Sequence, residues 1–217
     1  MIRWVYAVIE RPAGQLDAAT AFWSAVTGTH RLHRDDADDW LEVREGDGGA
    51  RLRFACDDVP ALVAAAIRLG ATTTVEPHVL RSPAGLAFEV THWEGETRLL
   101  PAGASSHLDQ VCLDVALTAY PSELDFWGEL TGWQLQSFPP QFHRLVRPQG
   151  IPVQILLQCT DDGSTKAHLD IASADAEGDR RRHEALGATL VQDFPEWITM
   201  RDPAAGIYCL TRRNPRD

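Results

Sequence analysis

The chain is short of cysteine and of positive charge, and each shortage excludes something. Its 217 residues hold four cysteines, Cys56, Cys112, Cys159 and Cys209, with no CxxC spacing among them. That argues against a zinc knuckle or a disulfide scaffold and suits a reducing cytoplasm, the expected location. Lys and Arg number 20 against 31 Asp and Glu, a formal net charge of −11. Nucleic acid and anionic membranes are bound by clustered Lys and Arg, so neither is an expected partner. The acidic balance favours a neutral or cationic small ligand. No apolar run approaches the roughly 20 residues that span a bilayer. The opening "MIRWVYAVIERP" has one brief apolar stretch and no small-residue cleavage site, so no secretory signal is expected. The acidic "RDDADDW" lacks calcium-loop spacing and reads as a solvated loop; "GDRRRHEALG" reads as the wet face of a helix.

What the chain does have is repetition. "FWSAVTG" at Phe22 returns as "FWGELTG" at Phe126, an offset of 104. "LGAT" at Leu69 returns at Leu186, an offset of 117, and the phrase around Pro83, "RSPAGLAFEV", returns around Pro203 as "RDPAAGIYCL", an offset of 120. Three echoes in one order describe a duplicated domain with small insertions in its second copy. The seam falls in "EGETRLLPAGASS", where periodicity stops and Pro, Gly and Ser collect. The expected layout is a first domain at 1–97, a linker at 98–106 and a second domain at 107–213. Each half reads as strand, helix, strands, then again strand, helix, strands. "WVYAVIE", "QVCLDVA", "WLEVRE", "HRLVRP", "PVQILLQC", "RLRFACDD" and "AHLDIASAD" are strands. Between "WLEVRE" and "RLRFAC" the first half is one strand short of the second.

The paired "FWxxxTG" helices, the "LGAT" helix ends and the closing "PAxxxxx(E/C)" strands resemble the vicinal oxygen chelate superfamily, which holds glyoxalase I, bleomycin-resistance proteins and extradiol dioxygenases. The stretch "AHLDIASAD…HEALGATL…EWITMRDPAAGIYCL" is particularly similar to bacterial glyoxalase-like proteins. The resemblance implies an α+β fold of tandem glyoxalase-like domains, in which paired βαβββ units form curled mixed sheets with helices outside. Each half then encloses a cup, and strand alternation decides what lines it. In the second half Gln110, Cys112, Asp114, His168, Asp170, Ile207 and Cys209 face inward. In the first, Trp4, Tyr6, Arg51, Arg53 and Glu89 do. Trp4, Trp40, Trp133 and Trp197 are candidates to stack on a flat ligand; Trp23 and Trp127, in the repeated "FW", read as helix-to-sheet core.

Metal-dependent members of this superfamily take ligands from the first strand, the strand opening the second unit and the closing strand, typically His or Gln, His, and Glu. Here those places hold Gln110, His168 and Cys209 in the second half and Tyr6, Arg51 and Glu89 in the first. Neither set is complete for a divalent metal, and an Arg at the central place repels a cation. Three functions stay open for the second cup: a metal-dependent lyase, isomerase or dioxygenase; a metal-free binder of the antibiotic-resistance kind; and a metal-free acid–base enzyme built on His168 and Asp170. All take a small organic molecule lined by Gln110, Cys112, Asp114, His168, Asp170, Trp197 and Cys209. Cys112 and Cys209 are nucleophiles only with depressed pKa values. Monomer and homodimer are both open.

Overall fold

The structure, a computed structural model, describes residues 1–28, 40–96, 105–161, 163 and 165–215. The first repeat runs β1 (Ile2–Arg11), α1 (Leu16–Thr27), β2 (Leu41–Glu45), β3 (Gly49–Cys56), α2 (Val59–Arg68), β4 (Thr72–Thr73), β5 (Val79–Arg81) and β6 (Ala87–His92). The second runs β7 (Ser106–Ala116), α3 (Tyr120–Thr131), β8 (Leu135–Phe138), β9 (Phe142–Leu145), β10 (Gln154–Thr160), β11 (Lys166–Ser173), α4 (Ala176–Ala185), β12 (Thr189–Asp193), β13 (Trp197–Arg201) and β14 (Ile207–Thr211). They form two mixed sheets, of six strands in the order β2-β1-β3-β6-β5-β4 and of eight in the order β12-β13-β14-β11-β7-β10-β9-β8. This is the α+β tandem architecture that the repeats imply. Among the described residues no helix is long and apolar enough to cross a membrane.

Period-two alternation builds the sheets. Val5, Ala7 and Ile9 on β1, and Val111, Leu113 and Val115 on β7, are buried in the core, and their odd-even partners face the cups. The two "FWxxxTG" helices end alike because Gly28 and Gly132 adopt left-handed backbone, φ 69° and 68°, where a Cβ is strained. Asp58 and Asp175 start α2 and α4 by accepting the Ala61 and Gly178 amides at 2.9 Å.

The repeats are tied crosswise. Phe22 and Trp23 of α1 pack against Tyr208 of β14, and Phe22 also meets His183 of α4; Phe126 and Trp127 of α3 pack against Phe88 of β6. Trp23 and Trp127 are therefore core, as expected. The repeated Pro-Ala phrases take part. Asp202, just before Pro203, accepts the Trp23 indole N–H at 3.1 Å and an Arg11 guanidinium at 2.6 Å. Its other oxygen closes the turn on the Ala204 and Gly206 amides. In the first phrase Ser82 replaces that Asp, and the carboxylate comes from α3 instead: Glu123 accepts the Ala84 amide at 2.8 Å and the Trp127 indole at 2.7 Å. Burial raises the Glu123 pKa, opposed by those donors. Each phrase thus serves the other repeat's helix as a docking turn.

The shortfall of strands in the first half needs correction. β2 pairs parallel with β1, as β10 does with β7, so "WLEVRE" is the counterpart of "PVQILLQC" and leads directly into β3. Among the described residues the missing counterparts are those of β8 and β9, two strands, and their place in the chain precedes Trp40 rather than following Glu45. The acidic loop expected there lies outside the described residues, except for Trp40 at its end.

Candidate functional site

An ionic network occupies the first cup. Tyr6 lies across from Arg53, and Arg53 across from Glu89, in one row over three strands. Around that row three carboxylates meet three guanidiniums. Glu89 pairs with Arg53 at 2.8 Å, Arg51 at 3.4 Å and Arg44; Glu10 pairs with Arg44 at 2.9 Å and with Arg51; Glu42 pairs with Arg53 at 2.5 Å and Arg44 at 3.8 Å. Burial works against the charge on Glu89, yet hydrogen bonds from Arg44 and Arg53 hold its pKa below the ordinary carboxylate range. Arg53 also lies 5.4 Å over the Tyr6 ring, whose hydroxyl donates to Glu96 at 2.5 Å. Tyr6, Arg51, Arg53 and Glu89 are thus together, as expected. Glu10, Glu42 and Arg44, which complete the network, were missed, although alternation along "VIE" and "LEVRE" puts them on the same face.

The second cup is open. A cavity of about 320 Å³ lies over the eight-stranded sheet. Gln110 and Cys112 of β7, His168 and Asp170 of β11, Cys209 of β14 and Trp197 of β13 line it, all six among the expected residues. The seventh, Asp114, does not line the cavity: it sits behind His168 and takes its Nδ1 at 3.0 Å. On the cavity side the His168 Nε2 stands 3.4 Å from Asp170 Oδ1, an ion-pair distance beyond normal hydrogen bonding, and that oxygen is buried with no hydrogen-bond partner. The other Asp170 oxygen accepts the Gln110 amide at 2.5 Å. Trp4, Trp40 and Trp133 are buried in the core, so Trp197 alone of the four tryptophans reaches the cavity.

Register corrects one placement. Asp170, not His168, lies across from Gln110 and Cys209, just as Arg53, not Arg51, lies across from Tyr6 and Glu89. The two rows match at the repeat offsets: Tyr6 to Gln110 is 104, Arg53 to Asp170 is 117, and Glu89 to Cys209 is 120. His168 is paired across the strands with Cys112.

Electrostatics sort the roles. Burial disfavours a charged His168, but the Cys112 sulfur and the Asp114 and Asp170 carboxylates outweigh it and raise its pKa well above the ordinary value. Burial pushes the Cys112 and Cys209 thiols up, and the neighbouring carboxylates add to this against the pull of His168. Neither thiol has the lowered pKa a nucleophile needs.

Residues that the sequence reading assigned to no face complete the walls. The β8–β9 hairpin supplies Phe138, Phe142 and Arg144, and the chain after β14 supplies Arg212 and Arg213. Alternation along "FHRL" was a usable signal: His143 bonds Tyr120 and Leu145 is buried, which leaves Phe142 and Arg144 for the cup.

The donor atoms of His168, Asp170 and Cys209 lie within 4.8 Å of one another, as do those of Cys112, Asp114 and His168. The metal that the fold implies nevertheless fits poorly. The closing place carries a thiol whose pKa burial raises, where the usual set has a carboxylate. The same cavity is lined by Arg144, which has no carboxylate partner among the described residues and disfavours a cation beside it.

The sequence profile of the Glyoxalase-like domain matches residues 7–91 and 110–211. Among curated proteins none matches the chain by sequence. Solved structures do. The 2,2',3-trihydroxybiphenyl 1,2-dioxygenase of Sphingomonas wittichii strain RW1 superposes with a TM-score of 0.66 at 14% identity, covering 97% of this chain and 90% of that one. The 2,3-dioxygenase LapB of Pseudomonas sp. KL28 gives 0.60 at 16% identity, covering 95% and 90%. A mutant of the 4-hydroxymandelate synthase of Streptomyces coelicolor gives 0.59 at 17%, covering 98% and 93%. At such identities the likeness is one of fold.

Proposed function

Because the chain belongs to the glyoxalase-like domain family, within the vicinal oxygen chelate superfamily, we propose that its second cup binds a small organic molecule and moves a proton on it through His168. The observation that carries this reading is the setting of His168 on the cavity floor, with Asp114 behind it and Asp170 beside it. Asp114 on Nδ1 fixes the ring so that Nε2 is directed to the cavity side. The raised pKa keeps Nε2 protonated near neutrality, the state of a general acid. Asp170 Oδ1, buried without a hydrogen bond, is the acceptor available for a proton taken from the same molecule.

A ligand with a carbonyl oxygen at His168 and an acidic C–H at Asp170 then undergoes an enolisation. The C–H bond breaks to Asp170, its electron pair moves into the carbonyl, and the oxygen takes the His168 proton. Return of the protons to other atoms completes an isomerase-type transfer with no redox partner. Gln110, bonded to Asp170, positions that carboxylate.

The test is deuterium uptake from solvent into carbonyl compounds that bind, followed by NMR. Wild type is expected to exchange the activated C–H, and His168→Gln and Asp170→Asn to lose about 100-fold or more of the rate with melting unchanged. Binding without exchange in wild type leaves a metal-free binder, and exchange unaffected in His168→Gln sinks the proposed role of the imidazole.

A further inference from the structure

We propose that the molecule taken by the second cup is an aromatic carboxylate, and that Arg144 receives its carboxylate group. This deepens the reading of that cup as a binding site and rests on it.

Arg144, Arg212 and Arg213 border the cavity. Arg213 holds Asp109 with two bonds, 2.8 and 3.1 Å, and Arg212 holds Asp193 at 2.9 Å and Glu177 at 3.2 Å. Arg144 has no such partner among the described residues. Its Nη2 donates to the neutral Gln136 amide oxygen at 2.6 Å, and its Nε is buried with no hydrogen bond at all. A buried donor left open is unfavourable unless something fills it.

The surroundings sharpen the preference. Arg147 lies close behind: burial lowers its pKa, and the Arg213 and Arg144 charges lower it further against the pull of Asp109. Asp109 is bonded by Arg213 and pulls on Arg147, while Arg144 adds its charge beside Arg147 with no carboxylate partner of its own among the described residues. The overall charge pointed to a neutral or cationic ligand; Asp170 and Glu196 also line the cavity, but at the Arg144 end an unpaired guanidinium favours an anion. The guanidinium fork suits a planar carboxylate.

The rest of the molecule is read from the wall. Arg144 lies 5.0 Å over the Phe138 ring, and Phe142 meets Trp197 edge to face at 5.9 Å. These rings line the same cavity as Arg144 and His168 and give a flat ligand its apolar contact there. A volume of about 320 Å³ takes one or two fused rings with an acid group.

Calorimetry with matched pairs tests this: 2-naphthoate against 2-naphthamide, and phenylacetate against phenylacetamide. Wild type is expected to bind each acid at least about tenfold tighter than its amide. Arg144→Gln should bring the pair to within about twofold, Arg144→Lys should restore part of the preference, and added salt should weaken only the acids. Amides binding wild type as tightly as acids, or a preference that survives in Arg144→Gln, overturns the carboxylate assignment and leaves the cup a binding site. If none of the four probes binds to folded wild type, the aromatic-carboxylate assignment falls, while the proton-transfer reading beneath it stands or falls separately by deuterium uptake.

Discussion

Arg53 and Asp170 stand 117 residues apart at matching points of the two repeats, and they build opposite interiors. Arg53 is long and cationic, so it reaches Glu42 and Glu89 and closes an ionic network over the first cup. Asp170 is short, its row ends in the small Cys209, and the space above them stays open. The first repeat also has, among the described residues, no counterpart of the β8–β9 hairpin that walls the second cup. A duplicated scaffold can therefore fill one copy with ion pairs and leave the other with a cavity, with the difference set by a few cup-facing side chains.

The largest effect that would break this comparison is on stability. Glu89→Ala leaves Arg44, Arg51 and Arg53 with too few carboxylates and should cost about 3–5 kcal/mol in denaturant unfolding. A loss under about 1 kcal/mol would mean that the network is solvated and the first cup is not truly filled.

Next comes a pH effect that only one repeat can show. His183 on α4 is fully buried, and the matching position on α2, 117 residues earlier, is Ala66. Burial, helped by Arg182 and opposed by Asp179, lowers the His183 pKa to about 4. Above the unfolded value of about 6.5 the imidazole is neutral in both states; as pH falls towards 4 only the unfolded chain gains the proton. Stability should therefore drop by about 3 kcal/mol over that window, and His183→Ala should flatten the slope. His168 has the opposite sign: its raised pKa contributes stability that is complete below about 6.5 and is lost at alkaline pH as the folded group deprotonates. His168→Gln should remove that alkaline loss.

Metal uptake sharpens the contrast next. Elemental analysis after dialysis against manganese and zinc is expected to find no stoichiometric metal in wild type and about one ion in Cys209→Glu, which restores the closing carboxylate beside Asp170 and His168. Stoichiometric metal in wild type, lost in His168→Ala, would sink the metal-free reading. The smallest effect is Cys209→Ala, expected to cost about 1 kcal/mol or less because it removes one small buried sulfur and leaves no unpaired charge. Its distance from the Glu89→Ala result measures how differently the two rows are used.

Much of this was legible before the structure. Three echoed phrases located the duplication, and alternation along "QVCLDV" and "AHLDIA" brought Gln110, Cys112, His168 and Asp170 to one face. It could not tell that Asp114, on that same face, lies behind the imidazole rather than in the cavity, because that depends on how far β7 runs past β11. Arg144 was within reach of the same alternation, along the four residues of "FHRL", but nothing in so short a strand says that its hairpin walls the cavity.

By itself, then, the sequence determined the repeats, the tandem α+β fold and which side of each strand is polar, since these follow from local spacing and the two-residue period of a strand. Tertiary structure decided the rest: which residue stands across from which, how the helices exchange partners, and that one cup closes on its own charges while the other keeps a cavity. Those outcomes depend on side chains far apart in the chain meeting at ångström distances, where a single residue of register separates Arg53 from a neighbour facing the core.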